Sequence, residues 1–373
     1  MRNKLTMLEA ISVVSIITIS QIILDFPEYL IDITGTGTIA NILFLSIISM
    51  FFCVIISKIF KNFSNQDIID ISEYVGGKFL KFVVSSIFII FLFLTIILAL
   101  SNFLFLIKAV YFPSSNPLFI FSIFTIAILV ASRKGFASLK NIIVTFFGIL
   151  IFSIVALLFG DNGNFSSNNI IPFFGYDYKT TFQTGISNIF IFNFIIMYFF
   201  LMPLLSKKND YPKIVFSSFI INLILLSISI ISILFYYPTS LTHNLTTLNS
   251  LNTLFLVTRR IHISSFLSQT DSIFVSIWGF AILGYITLLV NAILYILNKL
   301  FSYEDEHKLS FPIISIIIGG TVFLDRVIQV QYLEKYVFKY FSIILTFGIS
   351  FIILLLGFLK IKKRGLKNAK TKK

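Results

Sequence analysis

The feature that most constrains this chain is the recurrence of apolar runs of membrane length. No charged residue stands between Lys81 and Lys108, where Phe, Ile and Leu dominate. A hydrocarbon core about 30 Å thick asks for roughly 20 mostly apolar residues per spanning helix. Ten runs approach that length, at about residues 8–24, 37–57, 80–107, 117–131, 142–160, 182–205, 214–236, 271–298, 311–325 and 337–359, the fourth and ninth being short. They are continuously apolar rather than alternating, so helices are expected in place of a β-barrel. With 57% hydrophobic and 12% charged residues among 373, the composition lies far from that of a soluble domain. The expectation is an all-α polytopic membrane protein of about ten transmembrane helices, a single integral membrane domain over residues 1–373.

Ten helices divide into two sets of five, 1–160 and 182–359, followed by a basic tail at 360–373. Transporters built as five-plus-five inverted repeats (LeuT-like) hold their ligand at interrupted helices in corresponding positions of the two halves. The Lys and Arg residues set the orientation: 22 of the 29 fall on one set of loops and ends, including Arg2, Lys4, Arg133, Lys134, Lys207, Lys208 and the tail "KIKKRGLKNAKTKK". By the positive-inside rule both termini are expected to be cytoplasmic. The net charge of +13 has the same origin. The tail reads first as a stop-transfer signal and second as a contact for anionic membrane lipid, at about 1 kcal/mol per basic residue. Nothing supports nucleic-acid binding.

Other chemistry is sparse. The N-terminal stretch has no small-residue cleavage site, and Glu9 interrupts its start, so it is expected to remain as the first helix. Cys53 is the single cysteine and lies within a span, which leaves no disulfide framework or cysteine metal site. His243, His262 and His307 fall in loops without a carboxylate pair at ligand spacing, so neither a metal site nor a Ser-His-Asp site is expected. Dinucleotide, phosphate-loop and zinc-protease motifs are missing. Three Asn-x-Ser/Thr triplets, at Asn62, Asn164 and Asn244, are read as chance. No enzyme is expected, and no cofactor. A multispan enzyme acting on lipid-linked substrates would have to use "YEDEH" at 303–307, the only dense acidic cluster.

The places to look for a ligand are the first and sixth helices. The first carries Thr18, Ser20 and Gln21 before Pro27; the sixth carries Gly185, Ser187, Asn188 and Asn193 before Pro203. Each has two readings: an interhelical hydrogen bond of about 1 kcal/mol, or a ligand contact at a break in the helix. An unwound helix exposes N–H groups and carbonyls that can hold both ends of a zwitterion, so an amino acid suits such a site. Asp271 stands at the mouth of the eighth helix, where it is a helix cap, a gating partner for Arg259 or Arg260, or a ligand contact. Trp278, further in, is either a packing lock or an interface anchor. Glu9 and Asp25 are expected at the membrane interfaces. The polar segment 237–270 reads as interfacial helices covering the site from outside.

The stretch "RRIHISSFLSQTDSIFVSIWGF" resembles the entry to the eighth helix in the B subunit of endospore germinant receptors (GerAB/GerKB type), a branch of the amino acid, polyamine and organocation transporter superfamily. "SRKGFASLKNI", "IIPFFGYDYKTTFQTG" and the Pro closing the sixth helix are similar to that family in the same order, and the likeness runs over nearly the whole chain. Two positions depart from its pattern. The first helix has Ser20, Ile22 and Asp25-Phe26-Pro27 where a glycine pair and Leu-x-x-Pro are usual, and no charged residue lies between Lys179 and Lys207 where an acid is usual. The resemblance implies a nutrient sensor of the spore inner membrane that binds an amino acid or similar germinant and works with an A subunit and a lipoprotein C subunit. The alternative is a proton- or sodium-coupled amino acid permease.

Overall fold

The computed structural model describes residues 4–24, 26–63, 65–112, 114, 117–159, 166–175, 177–237, 253–259, 270–303, 305–324 and 326–370. Among them the only extended pairing is a single bridge between Leu5 and Leu205, and the rest is helix and connection. Eight helices are long and apolar enough to cross a membrane, and the shorter apolar helices Phe119–Arg133 and His307–Phe323 match the two short runs of the sequence.

Helix α1 (Met7–Leu24) is the axis of the bundle. Thr6 and Glu9 start it with a reciprocal capping box: the Thr6 amide donates to Glu9 Oε2 at 2.7 Å and the Glu9 amide to Thr6 Oγ1 at 3.4 Å. From Ala10 to Leu24 every residue is buried, as befits a helix apolar on all faces. Helix α2 (Phe26–Thr34) follows after one residue, and a short 3-10 turn leads into α3 (Thr38–Phe60). Asp25, at the junction, lies outside the described residues.

Helix α4 (Ile68–Tyr111) begins well before the apolar run suggests and is bent at Gly77, whose φ of 71° favours glycine. Ahead of the bend lies an amphipathic foot, which a search for apolar runs does not register. Helices α5 (Pro117–Arg133) and α6 (Gly135–Ala156) meet at Gly135, φ 76°. The start of α6 also precedes its apolar run, because Lys140 is accommodated inside: its ammonium pairs with Glu9 at 3.0 Å and donates to the Lys4 carbonyl at 2.9 Å.

Helix α7 (Lys179–Leu204) is irregular, as described below. Then come α8 (Tyr211–Tyr236), the short buried α9 (Thr253–Arg259), α10 (Thr270–Phe301), α11 (Ser310–Phe323) and α12 (Val327–Lys363), whose helical course continues to Lys370. Of the segment expected to form interfacial helices, α9 is the described part; residues 238–252 and 260–269, with His243, His262, Asn244 and Arg260, lie outside the described residues, as does Asn164.

The first described residues and the end of α12 reach the same end of the bundle. Leu5 pairs with Leu204 and Ser206 at the end of α7, Lys208 contacts Asn65 ahead of α4, and Lys360 on α12 donates to the Tyr74 carbonyl in the foot of α4 at 2.7 Å. At this end Asp67 caps α4, accepting from the amides of Ile69 and Asp70 at 3.0 and 3.1 Å. Lys299, in the last turn of α10, reaches both Asp67 and Asp70 at 2.6 Å, and Tyr295 donates to Asp67 at 2.6 Å. Burial pushes the Asp67 carboxyl above the ordinary carboxylate range; Lys299 opposes that shift and Asp70 adds to it.

Candidate functional site

Of the two helices singled out in the sequence, the sixth loses regular geometry, as α4 does at Gly77 and α12 at its π turns. The first is helical on both sides of Asp25, as α1 and α2, and Asp25 itself lies outside the described residues. The second, α7, opens with a π turn over Lys179–Gln183 and runs in 3-10 geometry over Thr184–Met197, with Phe192 off the helix at φ −85°, ψ 20°. Runs of 3-10 helix longer than a few residues are uncommon, because their hydrogen bonds are poorer, and mid-helix stretches of it mark hinges.

Near the C-terminal end of α1 its polar residues turn toward α10. Ser20 Oγ donates to the Ala281 carbonyl at 3.2 Å, and Gln21 Nε2 to the Tyr285 hydroxyl at 3.3 Å. The amide oxygen of Gln21 and the hydroxyl of Thr18, both buried, have no hydrogen-bond partner among the described residues. A cavity of about 20 Å³ opens beside Gln21, walled by Leu24, Phe26, Thr95, Leu98, Ala99, Tyr285, Glu334 and Phe338. That is room for about one water.

Glu334 is the residue of this wall that the sequence reading missed. It opens a π turn over Glu334–Phe338 in a stretch the apolar-run search leaves as a connection, because the run resumes only at Val337. Its carboxylate accepts from Asn102 of α4 at 2.6 Å and from the Tyr29 hydroxyl of α2 at 2.9 Å. The available signal was a lone acid amid helically spaced apolar residues of "VIQVQYLEKYVF". An acid was sought on the sixth helix; this one stands on α12 and is part-buried.

The α7 residues form a separate cluster. Asn188, fully buried, donates to Asn41 Oδ1 at 3.1 Å, and Asn41 donates to the Thr181 carbonyl at 2.7 Å. Gly185 lies against Asn41 so closely that a Cβ would collide with the amide. Asn193, 5% exposed beside the Phe192 distortion, leaves its amide oxygen unpartnered. Ser187 is part-exposed and its hydroxyl is spent on the Thr184 carbonyl at 3.0 Å, away from the other six. Of the α1 residues Gln21 lines the cavity, while Gly185 and Asn188 of α7 clasp α3. Phe190 joins the two, with its ring 5.0 Å from that of Phe26.

On α10, Trp278 is fully buried and donates to Ser153 of α6 at 3.3 Å, so it is a lock between helices and not an interface anchor. Asp271 accepts from Arg259 Nε at 3.4 Å and from the Ser272 amide at 2.9 Å. Arg259 also covers the Phe255 ring at 5.0 Å. Helix α9 is thus tied to α10 at one end, and at the other the Thr253 amide donates to Glu28 of α2 at 3.2 Å.

Two larger hollows flank this region. One, about 290 Å³, continues along α4 and α10 toward the termini, lined among others by Leu92, Leu288, Asn291 and His307. The other, about 530 Å³, is an almost wholly apolar groove between α4, α5 and α10. It offers little to recognise a polar ligand, and its rim of exposed Phe119, Ile123 and Phe280 suits contact with lipid. Among the described residues no group of three His, Cys, Asp or Glu converges as metal ligands would.

An irregular α7 and buried polar groups, inside a bundle of membrane-length apolar helices, fit an integral membrane protein of transporter-like build. The family model described as "Spore germination protein" (Spore_permease) matches residues 4–327. The chain belongs to that spore germination permease family. No individual curated protein matches it.

Proposed function

We propose that this protein is the nutrient-sensing B subunit of a spore germination receptor, binding an amino acid-like germinant where α1 gives way to α2. The observation that carries the reading is the cavity beside Gln21, with the Gln21 oxygen unpartnered among the described residues and the Glu334 carboxylate in one wall. Family membership and the basic bias of one face support it.

In this proposal the ten helices form a five-plus-five inverted repeat in the spore inner membrane, which derives from the bacterial cytoplasmic membrane, with both termini cytoplasmic. The A subunit and the lipoprotein C subunit are its partners. The cavity admits about one water, so the structure represents a closed state. Germinant binding requires α2, α10 or α12 to move, and a ligand that fits only the moved state shifts the population toward it. A transporter-like bundle would in this way report nutrient to its partners.

A second reading is favoured by one observation. Glu334 is an acid at the cavity within a membrane-length helix, the kind of group proton-coupled carriers use. A proton-coupled amino acid permease would need it. Deletion of the gene in a spore-forming host separates the two. Loss of germination with one nutrient class, with vegetative uptake intact, is the expected result; normal germination with impaired uptake would transfer the assignment to the permease.

A further inference from the structure

We propose that Glu334 is the anchor for a primary ammonium group, so that the ligands of this site are amines; the inference rests on the germinant-binding reading above. The cavity wall is rich in acceptors. Glu334 presents a carboxylate, and the Gln21 amide oxygen, on a residue only 4% exposed, is buried without a partner among the described residues. The Thr95 hydroxyl hydrogen is committed to the Phe91 carbonyl at 2.7 Å. Tyr285 receives the Gln21 amide, which leaves its own hydrogen as a single donor.

Charge points the same way as hydrogen bonding. Among the described residues Glu334 has two neutral donors, Asn102 and Tyr29, and no lysine or arginine is paired with it. A carboxylate at membrane depth with neutral partners is left short of a cation. An ammonium supplies the charge, offers three N–H donors to a wall of acceptors, and is close to a water molecule in size, matching the volume of about 20 Å³. The rings of Phe26 and Phe338, 6.4 Å apart, complete the same wall with apolar surface. A carboxylate or phosphate group would meet like charge, and a hydroxyl would leave Glu334 uncompensated.

The experiment compares wild-type spores with spores carrying Glu334→Gln, which keeps the size and the acceptor but removes the charge. Germination is titrated with a panel of L-amino acids, each beside its α-hydroxy acid analogue. The expected result is a wild-type response to an amino acid and not to its hydroxy acid, with the half-effective concentration raised at least about tenfold in Glu334→Gln, as loss of one charge-assisted contact implies. Immunoblotting controls for protein level, and Glu334→Asp, expected to lie between the two, serves if Glu334→Gln does not accumulate. Equal potency of the hydroxy acid, or an unshifted titration in Glu334→Gln, overturns the proposal.

Thermal unfolding of the purified full-length protein with the active amino acid, sodium chloride or potassium chloride distinguishes an ammonium from a metal cation. Stabilisation by one of the salts alone that disappears in Glu334→Gln would also overturn it. If gene deletion leaves every nutrient response intact, the receptor reading itself fails. If deletion abolishes a response that Glu334→Gln preserves, only the ammonium assignment fails.

Discussion

Asp67, at the end of the bundle that carries the termini, and Glu334, beside the cavity, are held in opposite ways. Asp67 is fully buried and completely provided for: two backbone amides, a tyrosine hydroxyl and a lysine ammonium meet its two oxygens. Glu334 has one amide, one hydroxyl and an open wall. The first arrangement joins the foot of α4 to the last turn of α10 and has no vacancy for a ligand. The second is incomplete in charge. An acid whose counter-charge comes from the chain serves the fold, and one that lacks it is the place to look for binding.

The sharpest way to break this comparison is to remove the cation. Lys299→Met leaves Asp67 and Asp70 facing each other, and breaking a buried pair from one side costs about 3–5 kcal/mol; since Lys299 is only partly buried, the lower part of that range is expected for the thermal unfolding of purified protein. Glu334→Gln, by contrast, should unfold within about 1 kcal/mol of wild type while its nutrient response falls. A similar stability loss in both would erase the distinction.

The pH dependence of Lys299→Met sharpens the point. The folded-state pKa of Asp67 is raised above its unfolded value. The stability that this brings is therefore fully present below about pH 3.9, the unfolded value, and is lost as pH rises through the higher folded value. With Lys299 gone the rise is larger, so the variant should be most stable in mild acid and lose more than wild type on neutralisation. Melting curves between about pH 4 and 7 test the sign.

Smaller effects separate the α1 and α7 clusters. Ser20→Leu should shift or abolish germinant response by crowding the Ala281 carbonyl beside the cavity, whereas Asn188→Leu should act mainly through the clasp to Asn41, costing about 1–3 kcal/mol for the amide it strands. An Asn188 variant with normal melting and no response would return that residue to the ligand. Trp278→Phe loses the bond to Ser153, about 1 kcal/mol. Arg259→Gln should cost at most about 1 kcal/mol, because the arginine is 47% exposed.

The smallest effect belongs to Asp177, whose carboxylate accepts from the amides of Lys179 and Thr180 and is held below its usual pKa by the Thr180 hydroxyl and these amides. This contribution is present above about pH 4 and is lost as pH falls through the lower folded value. Lower protection of the Lys179 and Thr180 amides in acid, measured against the intrinsic exchange rate at each pH, is its signature.

The positions of the ten apolar helices were legible in the sequence because lipid demands continuous apolar length, and even the two short ones appear as such. What was not legible were the parts where a helix continues with polar residues that find partners inside the protein. Lys140 with Glu9, Asp67 with Lys299, and Glu334 with Tyr29 and Asn102 all reside in such extensions. Their partners lie up to 305 positions away in the chain, and no local pattern encodes that pairing. The polar residues Ser20, Gln21, Gly185 and Asn188 were legible in the sequence, but α1 runs on as regular helix past Ser20 and Gln21 to Leu24; that the first cluster turns toward Tyr285 and the second toward Asn41 depends on the packing.

The tether at Lys299 also makes α10 a lever with its fulcrum at the termini end. Tyr285 lies 14 residues and Asp271 lies 28 residues from Lys299, or about 21 and 42 Å along a rigid helix rising about 1.5 Å per residue. A displacement of about half an ångström where Tyr285 borders the cavity is doubled to about one ångström at Asp271. The Arg259 contact there is already long at 3.4 Å, so the amplified motion is enough to part α10 from α9 and to carry a small event in the core to the far surface.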